Sequence, residues 1–165
     1  MTNWPPMKRR GPTVTEDDVR RFEQHIGHEL PDDYRRFLLE VNGGRTAGTH
    51  CRFAIRRDAR HFETILNALF SLDDPNTSRD LATWQLYGEG HLPVGLEIGA
   101  DDGASPIVLV LAGPHRGEVW FLDRLNYDSD ADQRRDWFDR TDALRIADSF
   151  AEFMAGLRPL NDDGT

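Results

Sequence analysis

Residues 13 to 44, TVTEDDVRRFEQHIGHELPDDYRRFLLEVNGG, decide the fold. They spell two short amphipathic helices joined at a Leu-Pro and stopped at a Gly-Gly. Thr15 has the chemistry of an N-cap, and Asp18 sets a carboxylate beside the unsatisfied N–H groups at the positive end of the helix dipole. Val19, Phe22 and Ile26 recur at three- and four-residue steps and form one apolar stripe, with Arg20, Arg21 and Glu23 on the wet side. Gly27 ends the first helix. Pro31 is tolerated in a first turn, Asp32 and Asp33 suit the positive end of the second helix, and Tyr34, Phe37, Leu38 and Val41 make its buried face. Asn42, Gly43 and Gly44 terminate it, because glycine reaches the left-handed conformation at low cost.

Downstream, Cys51, Phe53 and Ile55 alternate with Arg52, Ala54 and Arg56, which predicts a short edge strand with one face in water. In 62 to 72, FETILNALFSL, the positions Phe62, Ile65, Leu66, Leu69 and Phe70 fit helical spacing, although the segment is bounded like a strand. Residues Ser78 to Tyr87 predict a helix capped by Ser78, with Leu81, Trp84 and Tyr87 or Leu86 turned inward and Gly88 and Gly90 closing it. The clearest β signals follow. LPVGLEI (92–98), PIVLVLA (106–112) and EVWFL (118–122) are linked by the glycine-bearing GADDGAS and GPHRG, which implies antiparallel hairpins around a central strand covered on both faces. In the closing ADSFAEFMAGL, Ser149 and Glu152 have capping-box spacing, and Phe150, Phe153, Met154 and Leu157 give a helical stripe to lay on the sheet.

The 165 residues suit one domain, placed at 13–158 between a flexible leader (1–12, with Pro5, Pro6, Gly11 and Pro12) and a polar tail (159–165). Lys8, Arg9 and Arg10 are a solvated basic run within that leader. A net charge of −9 argues against a nucleic-acid binder and favours solubility or a basic partner. No apolar run approaches the roughly 20 residues of a membrane span, and the N-terminus lacks the apolar core of a secretory signal, so the chain is expected in the cytoplasm. Cys51 is the single cysteine, which excludes an intrachain disulfide and a cysteine zinc site.

The helix pair, LPVG, the paired-strand block ending GEVWF and the closing helix resemble the SUKH superfamily, the Smi and Knr type of domain, over about residues 13 to 158. The resemblance implies an α+β fold, a mainly antiparallel sheet flanked by two N-terminal helices and a C-terminal one. It also implies that at least part of 62 to 72 is a strand, against its periodicity. Relatives of this type are bacterial immunity proteins against polymorphic toxins and a yeast cell-wall regulator. The chain departs from the family pattern before its central strand, where ADDGASP replaces a loop richer in glycine and amides.

Chemical motifs are weaker. His25, His28 and Glu29 form H-x-x-H-E, but Gly27 and Pro31 interrupt the helix that would hold metal ligands, and imidazolium at a helix C-terminus is the simpler account. In DSDADQRRDWFD, Asp128, Asp130, Asp132, Asp136 and Asp139 fall at calcium-loop positions, yet Gln133 stands where glycine is needed and Asp139 where a bidentate Glu belongs. No nucleophile elbow, P-loop or dinucleotide glycine pattern occurs, and Cys51 has no identifiable base. No catalytic residue, cofactor or metal is therefore expected, a metal-dependent enzyme being the alternative of another class. The expectation is an immunity protein that binds a cognate toxin, with a regulatory interaction module as the alternative. Its partner-binding residues would be Asp101, Asp102, Asp128, Asp130, Asp132, Asp136 and, as aromatic anchor, Trp137. Trp84 suits the core, and Trp120 suits core or anchor equally.

Overall fold

A computed structural model describes residues 3–46, 50–57, 60–83, 94–123, 137–140 and 142–160. Helix α1 (Glu16–Ile26) begins at Thr15, whose hydroxyl accepts the Asp18 N–H while the Asp18 carboxylate accepts the Thr15 N–H, a reciprocal capping box. It ends at Gly27, whose φ of 75° is the left-handed C-terminal conformation. Helix α2 (Asp32–Glu40) buries Tyr34, Phe37 and Leu38, and its exit turns through Asn42, Gly43 and Gly44, all at positive φ. At Gly43 a Cβ would lie 2.6 Å from the Phe70 carbonyl oxygen, so the close approach of the two backbones requires glycine there.

The main sheet has six antiparallel strands in sequence order: β3 (Arg52–Arg57), β4 (Arg60–Leu69), β5 (Gly95–Asp101), β6 (Pro106–Val110), β7 (Val119–Leu122) and β8 (Ala143–Ala147). Strand β6 lies in its interior, with Val108 paired to Glu97 on one side and to Trp120 on the other. A separate ribbon pairs β1 (Met7–Lys8) with β2 (Arg45–Thr46). The sheet curls so far that Phe53 on β3 meets Phe121 on β7 edge-on at 5.8 Å. Helix α3 (Phe150–Ala155) covers the inner face, burying Phe150, Phe153 and Met154. Ser149 caps it by accepting the Glu152 N–H, while the Glu152 carboxylate reaches back to the Asp148 N–H, one residue earlier than a capping box requires.

The inner core joins these helices to the sheet. Phe150 lies 4.9 Å from both Tyr34 and Phe37, and Asp33 ties the starts of α2 and α3 by accepting the N–H groups of Tyr34 and Ala151. Asn42 is buried and makes a triple fastening. Its Nδ2 donates to the Pro12 and Leu72 carbonyls, and its Oδ1 accepts the Leu72 N–H.

Three expectations change. Residues 60 to 69 form a strand, as the resemblance implies and periodicity does not. The register shifts between Leu66 and Ala68, so a bulge at exposed Asn67 breaks the two-residue alternation and leaves Ile65, Leu66, Leu69 and Phe70 at helix-like spacing. The helix expected from Ser78 begins instead at Leu81, capped by Asp80 accepting the Thr83 N–H, while the Ser78 hydroxyl donates to Asn76. Leu81 is buried as expected, and Trp84, Leu86 and Tyr87 lie outside the described residues. The segment expected to be a flexible leader is packed from Trp4 onward. Trp4 meets Phe37 edge-on at 5.4 Å and donates to Glu40, Gly11 N–H bonds the Asn42 carbonyl, and Arg10 bonds the last carbonyls of α2 at Glu40 and Val41.

Candidate partner-binding surface

The turn between β5 and β6 brings two neighbouring carboxylates into different roles. Asp101 is buried: one oxygen accepts the Ser105 N–H at 2.8 Å, and the other accepts the Thr64 hydroxyl at 2.7 Å. It shapes the turn and does not present its charge to a partner. Asp102 is exposed at the tip, held by its N–H bonding the Ile65 carbonyl at 2.9 Å. Ala104 completes the turn with a φ of 60°.

Asp128, Asp130, Asp132 and Asp136 lie outside the described residues. The points where that acidic stretch leaves and rejoins the sheet are described. Asp123 N–H bonds the Asp142 carbonyl at 2.8 Å, and beside them Arg140 grips the Asp142 carboxylate through Nε at 2.9 Å and Nη2 at 2.7 Å, both residues buried. Bidentate geometry matches the guanidinium fork to the carboxylate and satisfies both when water is excluded. Trp137 opens a single-turn helix, Trp137–Asp139, whose Phe138 stacks on His115 at 4.2 Å and meets Trp120 edge-on at 5.1 Å.

This aromatic group closes the outer face of the sheet over Val108, Val110, Leu122 and Ala143. Glu118 organises its rim. Its Oε2 accepts Trp120 Nε1 at 2.8 Å and lies 2.9 Å from His115 Nδ1, and Arg145 stands 3.6 Å from its Oε1. An ionised carboxylate only accepts, so Nδ1 is the protonated nitrogen of His115. Trp120 is thereby a packing residue of the outer face, 7% exposed.

The remaining candidates separate cleanly. His25 sits in the last turn of α1, while His28 and Glu29 follow the left-handed turn at Gly27. Among the described residues no three His, Cys, Asp or Glu side chains gather as a metal site. Cys51 is buried, and burial raises its thiol pKa, the opposite of nucleophilic activation. Sequence reasoning missed Asn42 and Arg140 as fasteners, since their partners lie far along the chain or beside uninformative polar residues. It also missed a cleft of about 570 Å³ between the β1–β2 ribbon and strands β4 and β5.

These features define a class: a single α+β domain built on a six-stranded antiparallel sheet with helices over its inner face. The chain belongs to the SMI1/KNR4 family (SUKH-1), whose model matches residues 13–156. Domains of this family act through partner proteins, in toxin immunity or in roles of the Smi/Knr type. No curated protein matches the sequence. Among the described residues no helix is long and apolar enough to cross a membrane.

Proposed function

We propose that this protein is a cytoplasmic immunity factor that neutralises a cognate toxin by stoichiometric binding, without catalysis. Family membership combined with a net charge of −9 carries the reading. Toxin domains that attack nucleic acids present positive charge to their substrate, and an acidic protein can occupy that surface and associate quickly. The working surface is Asp102 at the hairpin tip together with the acidic stretch holding Asp128, Asp130, Asp132 and Asp136. Trp137 is its desolvated anchor, and Asp101 serves only by shaping the turn beneath Asp102. The described ends of that stretch support this assignment, because the Asp123 N–H bonds the Asp142 carbonyl and Arg140 grips the Asp142 carboxylate, which fixes where the stretch leaves and rejoins the sheet.

The test is surface plasmon resonance against the product of the adjacent gene, since immunity genes lie beside toxin genes. Reversing Asp130 and Asp132 to Lys should slow association and flatten its salt dependence, as rim charges act mainly through the encounter rate. Trp137→Ala should chiefly speed dissociation, by the equivalent of about 2 kcal/mol for an anchor of this kind. Unchanged kinetics in all three variants would move the interface elsewhere, and no binding at all would favour the regulatory role.

A further inference from the structure

The cleft beside the β1–β2 ribbon is lined by charges of both signs: Arg9 just after β1, Arg45 from β2 and Arg79 from the segment after β4, with Glu97, Asp101 and Asp102 from β5 and its turn. Neither Arg9 nor Arg45 forms an ion pair or side-chain hydrogen bond among the described residues, although both are exposed in a chain of net charge −9. Arg79 reaches Asp74 at 3.7 Å through Nη2, while its Nε is buried with no hydrogen-bond partner among the described residues.

Two further observations single the place out. Lys8 stands directly across the ribbon from Arg45, and Arg9 follows it, so three cations crowd one short ladder. Like charges opposite one another destabilise a strand pair, a cost that an anion beside them removes. The bulge in β4 sets exposed Asn67 at the cleft, and bulges of this kind re-aim side chains at sites. A volume of about 570 Å³ lies within the range of small-molecule pockets.

We propose that this cleft binds the phosphate monoester of a small molecule that also carries hydroxyl or amino groups, nucleoside monophosphates being the simplest members of that class. The arginines supply planar donor forks that match phosphate oxygens. Glu97 and Asp102 accept hydrogen bonds from the sugar hydroxyls or the amine, and Asn67 offers both a donor and an acceptor. Binding involves no bond-making step.

Isothermal titration calorimetry on the full chain tests it with AMP, GMP, CMP, UMP and ribose 5-phosphate, alongside inorganic phosphate and adenosine. At least one monoester should bind saturably and more tightly than inorganic phosphate or adenosine. The double variant Arg9→Glu, Arg45→Glu changes only exposed side chains, and its melting temperature verifies the fold. It should lose affinity by roughly tenfold or more, as removal of charge-assisted forks requires. Glu97→Gln with Asp102→Asn should narrow the preference for the monoester over inorganic phosphate. Absence of saturable binding across the panel, or unaltered affinity in the arginine variant, would overturn the assignment. Equal affinity for inorganic phosphate and every monoester would overturn the role given to the carboxylates.

Discussion

On the inner face of the sheet, Phe150 is enclosed by Tyr34, Phe37 and Trp4, and helices supply the cover. On the outer face, Trp120 and Phe138 meet over Val108 and Val110, and the cover is fastened by polar groups: Glu118 to Trp120 and His115, Arg140 to Asp142. The inner face owes its stability chiefly to apolar area and aromatic packing. The outer face depends on directional contacts that hold the ends of an acidic segment in place. Such a division lets the segment vary in sequence while the core stays fixed.

The contrast can be broken by substitution. Phe150→Ala should have the largest effect, costing about 3–5 kcal/mol in chemical denaturation, because it empties the centre of the inner aromatic cluster. A loss below about 1 kcal/mol would mean that the site collapses around the gap and that the inner face is not packed as described. Asp142→Ala should cost about 3 kcal/mol, since it leaves a buried guanidinium without its bidentate partner. The double change Arg140→Met, Asp142→Leu should recover most of that loss, and failure to recover would show that the pair does more than satisfy its own charges.

A smaller effect sharpens the comparison through pH. Hydrogen bonds from Thr15 hold the Asp18 carboxyl below its ordinary pKa. A depressed folded value stabilises the protein above the unfolded pKa, and that contribution fades as pH falls through the folded value. The stability difference between the wild type and Asp18→Asn should therefore be present at about pH 6 and shrink as the pH falls below the ordinary carboxylate range in denaturation curves. A difference independent of pH would assign the effect to helix propensity. Thr15→Ala should cost about 1 kcal/mol.

The inner face was the legible one. The capping box, the left-handed stop at Gly27, the buried stripe of α2 and the pattern of Phe150, Phe153, Met154 and Leu157 all depend on neighbours within one or two turns. Strand β4 was hidden because its partners on β5 lie far along the chain: Asp101 opposite Leu66 and Gly99 opposite Leu69. Its bulge then disguised the strand period as a helical one. The resemblance corrected the reading because it carries information about those distant partners. At the candidate surface the acidic residues were visible as composition, but not their division of labour. Nothing in the pair Asp101-Asp102 says that the first points inward to Thr64 and Ser105 while the second faces solvent. The leader's prolines suggested looseness, whereas Trp4, Arg10 and Gly11 find partners on α2 and the turn after it, contacts about 30 residues apart that local pattern cannot register.

Strand β3 opens the sheet, and the start of its outer row of backbone groups is covered by Arg158, three residues past the last helix. Arg158 accepts the N–H groups of Cys51 and Arg52 and donates its own N–H to the Arg52 carbonyl, closing the margin with a single bridge. An unpaired strand margin is a template on which a second chain can add itself. Arg158 thus blocks addition of a second chain at the Arg52 end of β3: a chain ending at Leu157 would keep every helix and every strand of the main sheet, yet expose those backbone groups. Its loss would appear first as concentration-dependent oligomers in solution, ahead of any fall in the melting temperature.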